Sequence, residues 1–220
     1  MEKIIIAILF LGLLPKNALA QPAIAEFEGV IKYKHHVIAK DSSYDVNYDY
    51  ASLGKYSEYY YKDGDYRFVN HDCFYKAEMF RHQDVKNYLL LDNSDTVLCI
   101  NSRKSDLDIL DLNVKHLADT IINYPCDLIT IKMRPSDRDS PVSYRRYYFS
   151  TKLPVNPVHF KDCKGNAYDK IYETTRSLPL RIEFEWPSRI IVWEAYEVSR
   201  QKIEMGLFDI PKNCLIENVN

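Results

Sequence analysis

The sequence has few glycines and lacks a large excess of charge of either sign. Its 220 residues include six glycines, 29 Lys and Arg, and 31 Asp and Glu. Six glycines are too few for collagen or a glycine-rich linker, and the near-balance of charge removes the basic surface that nucleic-acid binding needs. Because 46% of the residues are apolar, the chain has enough hydrophobic side chains to form a core. We predict a globular protein that does not bind nucleic acid.

The sequence also lacks the common motifs of catalysis and metal binding. It contains no Gly-x-Ser-x-Gly, His-Glu-x-x-His, Walker, Gly-x-Gly-x-x-Gly or Cys-x-x-Cys motif. His71-x-Cys73 offers residue types that suit zinc, but scattered His and Cys are more often structural. A hydrolase would most plausibly use His159, with Asp162 and Cys163 nearby. We predict a protein that is not an enzyme, with no catalytic residues, no metal and no cofactor.

Long hydrophobic runs are absent except at the N-terminus. Residues 4–14 form an uncharged apolar run, and Ala18-Leu19-Ala20 follows it. The run is too short to span roughly 30 Å of hydrocarbon, and Ala-x-Ala is typical of a signal-peptidase site. We predict a signal peptide over residues 1–20 that is cleaved after Ala20, and a single domain over 21–220. The mature protein is then periplasmic or secreted, with no integral membrane segment.

All five cysteines lie in the predicted mature protein, where export would permit disulfides. Because five is odd, at least one thiol is free or pairs with another chain. We predict one or two structural disulfides and a buried thiol. Spacing leaves the pairing open among Cys73, Cys99, Cys126, Cys163 and Cys214.

Asp63-Gly64 suits the positive φ angles of a type I′ hairpin turn. This turn places Tyr61 opposite Tyr66. One face of the hairpin is then aromatic, as expected for a sheet with one buried side. That face carries Tyr59, Tyr61, Tyr66 and Phe68.

A second hairpin is predicted over residues 87–101, with a four-residue loop at 92–95. It places Tyr88 opposite Cys99 on one face and Leu89 opposite Leu98 on the other. Because both faces are apolar, we expect this pair inside the sheet, with a helix, another sheet or a ligand cavity packed on each face.

A third hairpin is predicted over residues 180–198, because apolar and charged residues alternate on both sides of a turn at 186–189. A four-residue loop places Phe184 opposite Ile191 and Ile182 opposite Trp193. Two further strands are predicted at 128–133 and 144–150. We predict that the apolar faces of these strands contact a ligand through Leu180, Ile182, Phe184, Ile191, Trp193, Ile131 and Met133.

Two segments fit more than one structure. Val46, Tyr50 and Leu53 have helical spacing, but residues 44–50 also alternate as in a strand. Residues 105–117 similarly fit either a helix that begins after Ser105 or a strand. The sequence therefore does not decide between a helix and a strand in either segment.

Several short motifs occur in a characteristic order along the chain. They are Phe27-x-Gly29-x-Ile31-x-Tyr33, residues 61–67, residues 120–126, residues 147–150, Leu178-Pro179-Leu180 and residues 207–211. In this order the chain resembles the GLPGLI-related exported proteins of Gram-negative bacteria and the wider lipoprotein-carrier (LolA-like) superfamily. The sequence Gly-Leu-Pro-Gly-Leu-Ile itself does not occur.

The resemblance implies an α+β fold that is mainly antiparallel β, a curved incomplete barrel with a few short helices on its concave face. It also implies an apolar cavity, which in the carriers holds acyl chains. We therefore predict a periplasmic, non-enzymatic binding protein for an apolar ligand, acyl or lipoprotein-like, or for another envelope protein. The alternative is a structural or interaction module of the envelope without a small-molecule ligand.

Overall fold

A computed structural model describes residues 25–137 and 139–219, in which twelve strands and two α-helices are found. Short 3-10 helices lie at Pro157–Phe160, Gly165–Ala167 and Met205–Phe208. The strands are β1 (Gly29–Ala39), β2 (Tyr56–Lys62), β3 (Asp65–Asn70), β4 (Tyr75–Arg81), β5 (Lys86–Leu91), β6 (Thr96–Asn101), β7 (Leu107–Ile121), β8 (Tyr124–Pro135), β9 (Ser143–Pro154), β10 (Ser177–Glu185), β11 (Arg189–Arg200) and β12 (Leu215–Val219). The α-helices are α1 (Val46–Leu53) and α2 (Tyr168–Thr175).

All twelve strands belong to one sheet, in the order β12-β6-β5-β4-β3-β2-β1-β11-β10-β9-β8-β7. Neighbouring strands are antiparallel except for β12, which runs parallel to β6. The sheet is curved and open, with β12 and β7 at its two edges. The predicted fold class, a mainly antiparallel incomplete barrel with a few short helices, is confirmed.

The predicted hairpin registers are also confirmed. Asp63 and Gly64 have φ angles of 48° and 87°, as a type I′ turn requires. In this hairpin Tyr61 lies opposite Tyr66. The registers of the other two hairpins agree as well: Tyr88 with Cys99, Leu89 with Leu98, Ile182 with Trp193, and Phe184 with Ile191.

The structure decides between helix and strand in both open segments. Residues Val46–Leu53 are helical because Asp45 caps the first turn by accepting from the Asn47 backbone N–H, and Gly54 ends the helix at φ 74°. Residues Leu107–Ile121 form a strand that pairs with β8 along most of its length. A bulge with Leu117 at positive φ interrupts that pairing.

Both faces of the sheet bury apolar residues. Ile171 and Tyr172 of α2 pack on one face, against the side chains of β1–β3 and β8–β10. On the opposite face, Phe208 in the C-terminal segment packs against Tyr88 and Cys99 of the second predicted hairpin. The other face of this hairpin is less covered, since its residues Leu89 and Leu98 are half-buried. We expected both faces of this hairpin to be covered. The Tyr88 and Cys99 face is covered fully, and the Leu89 and Leu98 face is covered in part.

The expected disulfides do not form: all five cysteines within the described residues are free thiols. Cys126 and Cys163 are buried in one hydrophobic cluster and Cys99 in another, while Cys73 and Cys214 are half-buried. Burial raises the pKa of the Cys163 thiol to about 12, so this side chain stays protonated at neutral pH.

We expect Ellman's reagent to modify Cys73 and Cys214 quickly in the folded protein. The three buried thiols should react slowly, because the core shields them from the reagent. All five should react at once in denaturant without a reductant. A count below five in denaturant would show that a disulfide forms in solution.

The predicted signal peptide lies outside the described residues. Within the described part of the chain, no helix combines the length and the apolar character needed to cross a bilayer.

Candidate functional site

A cavity of about 250 Å³ lies between the sheet and α2. Strands β1–β4 and β9–β11 provide its wall on the sheet side, and α2 provides two tyrosines. Ten of its 17 lining residues are aromatic: Tyr33, Tyr59, Tyr66, Phe68, Tyr147, Tyr168, Tyr172, Phe184, Trp186 and Trp193.

The alternation of residues along the strands explains why aromatic side chains meet here. Tyr59 lies opposite Phe68 in the β2–β3 hairpin, and both project from the same face as Tyr66. Trp193 of β11 stacks on Phe68 with ring centroids 4.7 Å apart, and Phe184 meets its edge at 5.0 Å. These contacts fix the ring orientations, so the cavity wall is pre-formed.

Helix α2 is short and covers part of the cavity. Tyr168 and Tyr172 are four residues apart, and therefore share one side of the helix, facing the cavity. The backbone is left-handed at both ends of α2. Asn166 and Ala167, which precede the helix, have φ angles of 55° and 62°, and Arg176, which follows it, has a φ of 48°. These conformations turn the chain sharply at both ends of α2, which places the helix across the sheet.

One acidic and one basic side chain lie in the cavity wall. Glu78 of β4 accepts a hydrogen bond from the Tyr66 hydroxyl at 2.7 Å, and burial raises the pKa of Glu78. Arg145 of β9 donates to Asn166 Oδ1 at 2.7 Å, and its guanidinium lies 5.2 Å from the centre of the Phe184 ring. The cavity is therefore aromatic with a polar part.

Three hydrogen-bond donors in the cavity wall are buried without an acceptor among the described residues. They are the hydroxyls of Tyr59 and Tyr147 and the indole Nε1 of Trp193. The Tyr59 hydroxyl approaches that of Tyr172, but not in the geometry of a hydrogen bond. A buried donor that stays unpaired costs roughly 1–3 kcal/mol, so a water or a ligand that accepts hydrogen bonds would be stabilised here.

Four of the seven residues predicted to contact a ligand line this cavity: Ile182, Phe184, Ile191 and Trp193. The other three, Leu180, Ile131 and Met133, are fully buried in the adjoining core. Leu180 packs with the side chains of β1–β3, whereas Ile131 and Met133 pack beneath Ala167 and Ile171. Ligand contact by any of the seven stays a prediction.

Several lining residues could not be assigned from the sequence. Tyr168 and Tyr172 lie on a helix that was not predicted, although their spacing of four residues is a signal for one. Glu78 and Arg145 occur on strands whose neighbours in the sheet were unknown. Their role depends on pairing across strands, which local alternation does not specify.

Among the described residues, no hydrogen bond joins the His159 ring to the Cys163 thiol. His159 Nε2 lies 3.3 Å from Glu26 Oε1, and its ring contacts that of His82 with centroids 4.7 Å apart. His82 is in turn held by Asp65, with Nδ1 and Oδ1 2.7 Å apart. The Cys163 thiol is buried and protonated, as described above.

No protein-family model matches the chain, and no curated protein sequence is significantly similar to it. Among solved structures, the chain is similar to the crystal structure of the lipoprotein LppX of Mycobacterium tuberculosis, with 9% sequence identity and a TM-score of 0.34. The match covers 80% of this chain and 89% of that chain. A similarity at this level does not establish a shared family or function, so the resemblance to lipoprotein carriers stays a prediction.

Proposed function

We propose that this protein is a non-enzymatic binding protein of the bacterial cell envelope that holds a small, mainly apolar ligand between its sheet and α2. The observation that carries the proposal is the aromatic cavity, which combines a pre-formed apolar wall with a few polar groups. Small-molecule sites generally have this composition. The envelope location rests on the signal-peptide pattern of the sequence.

The size of the cavity limits the ligand. At about 250 Å³, it lies just below the range of roughly 300–1,000 Å³ that is usual for small-molecule sites. This volume favours a ligand with one ring system or a short chain over the long acyl chains that the family resemblance implies. We therefore propose a small apolar ligand in place of a long acyl chain.

The protonation of the tyrosines in the lining is consistent with hydrogen bonding to a ligand. Burial raises the pKa of Tyr59 and Tyr66 well above the ordinary value for a phenol, so both hydroxyls stay neutral. Such groups donate hydrogen bonds but do not act as bases near neutral pH. Because Tyr66 already donates to Glu78, the hydroxyl that can orient the ligand in this proposal is that of Tyr59.

A second candidate function is an interaction module whose aromatic residues only fill its core. The modest cavity volume favours it, because a module without a ligand needs no pocket above roughly 300 Å³. A binding experiment separates the two candidates.

The uncharged dye N-phenyl-1-naphthylamine, which fluoresces in apolar surroundings, is expected to bind the folded protein. Phe184→Asp should weaken dye binding by about ten-fold or more, because it places a carboxylate in the aromatic wall. Fluorescence titration measures the affinity, and circular dichroism checks the fold of each variant.

Phe74→Asp is the matched control, since Phe74 lies outside the cavity and is 52% exposed. It should bind the dye as the wild type does. Failure of the folded wild-type protein to bind the dye would favour the interaction module, and an equal loss in both variants would show that the dye binds elsewhere.

A further inference from the structure

Arg145 is half-buried, and not all of its guanidinium N–H groups have a hydrogen-bond acceptor among the described residues. Within the described residues it contacts Asn166 and the Phe184 ring and approaches the Tyr147 hydroxyl, but no carboxylate lies within ion-pair distance. The next residue, Arg146, points to the opposite face and forms ion pairs with Glu183 and Glu185. Arg145 therefore keeps hydrogen-bond donors available to the cavity.

The strand registers place the unpaired donors beside Arg145. Tyr147, Ile182 and Trp193 form one row across β9, β10 and β11. Arg145, Phe184 and Ile191 form the next row. Residues two positions apart on a strand project from the same face. Arg145, Tyr147 and Trp193 consequently project from one face of neighbouring strands, and all three line the cavity.

These groups are all donors, so the ligand they fit supplies acceptors. We infer that the ligand of this cavity carries a carboxylate, which Arg145 binds with help from Tyr147 and Trp193, while its apolar body lies among the aromatic rings. This inference rests on the proposed function. A carboxylate matches the planar fork of a guanidinium and gives charge-assisted hydrogen bonds.

Glu78 is the acidic group that opposes this assignment. Burial raises the pKa of Glu78, which reduces its tendency to ionise, whereas the hydrogen bond from the Tyr66 hydroxyl lowers this pKa. The positive charge of Arg145 also lowers this pKa. If Glu78 were ionised and its negative charge outweighed the positive charge of Arg145, the cavity would prefer an amine.

Three probes with the same apolar body distinguish these cases: 4-phenylbutyrate, 4-phenylbutan-1-ol and 4-phenylbutylamine. Both tryptophans of the chain, Trp186 and Trp193, line the cavity, so intrinsic fluorescence reports on binding there. We expect 4-phenylbutyrate to bind about ten-fold more tightly than the alcohol, and the amine to bind most weakly.

The variant Arg145→Gln should remove the preference for the carboxylate and leave the affinity for the alcohol unchanged. Arg146→Gln is the matched control and should retain the preference, because Arg146 lies on the other face. Tyr147→Phe removes an unpaired hydroxyl and should fold well. It should weaken 4-phenylbutyrate a few-fold more than the alcohol, which keeps the test decisive if Arg145→Gln does not fold.

Each outcome bears on either the inference or the proposed function. Equal binding of acid and alcohol, or tighter binding of the amine, would overturn the carboxylate assignment and leave a small-ligand cavity intact. An undiminished preference for the carboxylate in a folded Arg145→Gln or Tyr147→Phe variant would also overturn it. Absence of binding by all three probes and by N-phenyl-1-naphthylamine would contradict the proposed function itself.

Discussion

Replacing Gly29 by alanine is expected to lower the free energy of unfolding by about 2–5 kcal/mol, because the site has no space for a side chain. Gly29 begins β1 and lies between Arg200 of β11 and Tyr61 of β2. A Cβ at this position would overlap the Ser199 carbonyl oxygen and lie 3.0 Å from both the Arg200 Cα and the Phe27 ring. The backbone contact cannot be relieved by rotating a side chain, so β1 and β11 must separate.

Urea denaturation measures this loss, with Gly206→Ala as the matched control. A Cβ at Gly206 would have Asp209 Oδ2 at 3.8 Å as its nearest neighbour, an ordinary contact. The control should therefore change stability by less than about 0.5 kcal/mol. Equal stability of the two variants would mean that β1 and β11 do not approach as closely as described.

The second large effect concerns pH. His35 of β1 is 3% exposed, and burial lowers its pKa from 6.5 to about 4. Its Nδ1 lies 3.0 Å from the Gly54 carbonyl oxygen, which can only accept, so Nδ1 carries the proton and Nε2 accepts from the Ser57 hydroxyl at 2.8 Å. The folded protein thus holds His35 as a neutral imidazole.

Below pH 6.5, His35 takes up a proton in the unfolded chain but not in the folded protein. Stability must therefore fall as the pH decreases from about 6.5 to about 4. The full loss from this group is about 3 kcal/mol, since each pKa unit corresponds to about 1.4 kcal/mol. Above pH 6.5 both states are neutral and His35 contributes no pH dependence.

Urea denaturation at several pH values tests this expectation in the wild type and in His35→Gln. The variant should lose most of the slope between pH 6.5 and pH 4, whatever its stability at pH 7. His71→Gln is the control, because the His71 side chain is exposed. A slope in His35→Gln as steep as in the wild type would mean that other groups cause the acid sensitivity.

The sequence predicted the local sheet structure well for a physical reason. In the β2–β3 and β10–β11 hairpins, the turn residues set the pairing and the alternation of apolar residues allows only one register. In contrast, Leu107–Ile121 stayed ambiguous because much of this edge strand is exposed, so burial imposes little pattern on it.

The cavity could be predicted only in part. The β10–β11 hairpin provided Ile182, Phe184 and Trp193 because their face follows from local alternation. Leu180 shares that face but is covered by other core residues, which the sequence of one hairpin cannot indicate. Arg145 reaches the site because β9 pairs with β10, across a connection that contains 3-10 helices and α2.

The position of β1 in the middle of the sheet has a consequence for folding kinetics. Strands β1–β6 pair with near neighbours in the sequence, and so do β7–β11. Among the described residues, strands of these two groups pair with each other only where β1 meets β11, and Gly29 there lies opposite Arg200. Contacts between such distant residues form late and raise the contact order, and β-proteins with high contact order fold in roughly milliseconds to seconds. The two groups can form first, but β1 must wait for β11 before both of its edges are paired, although β1 is synthesised long before β11.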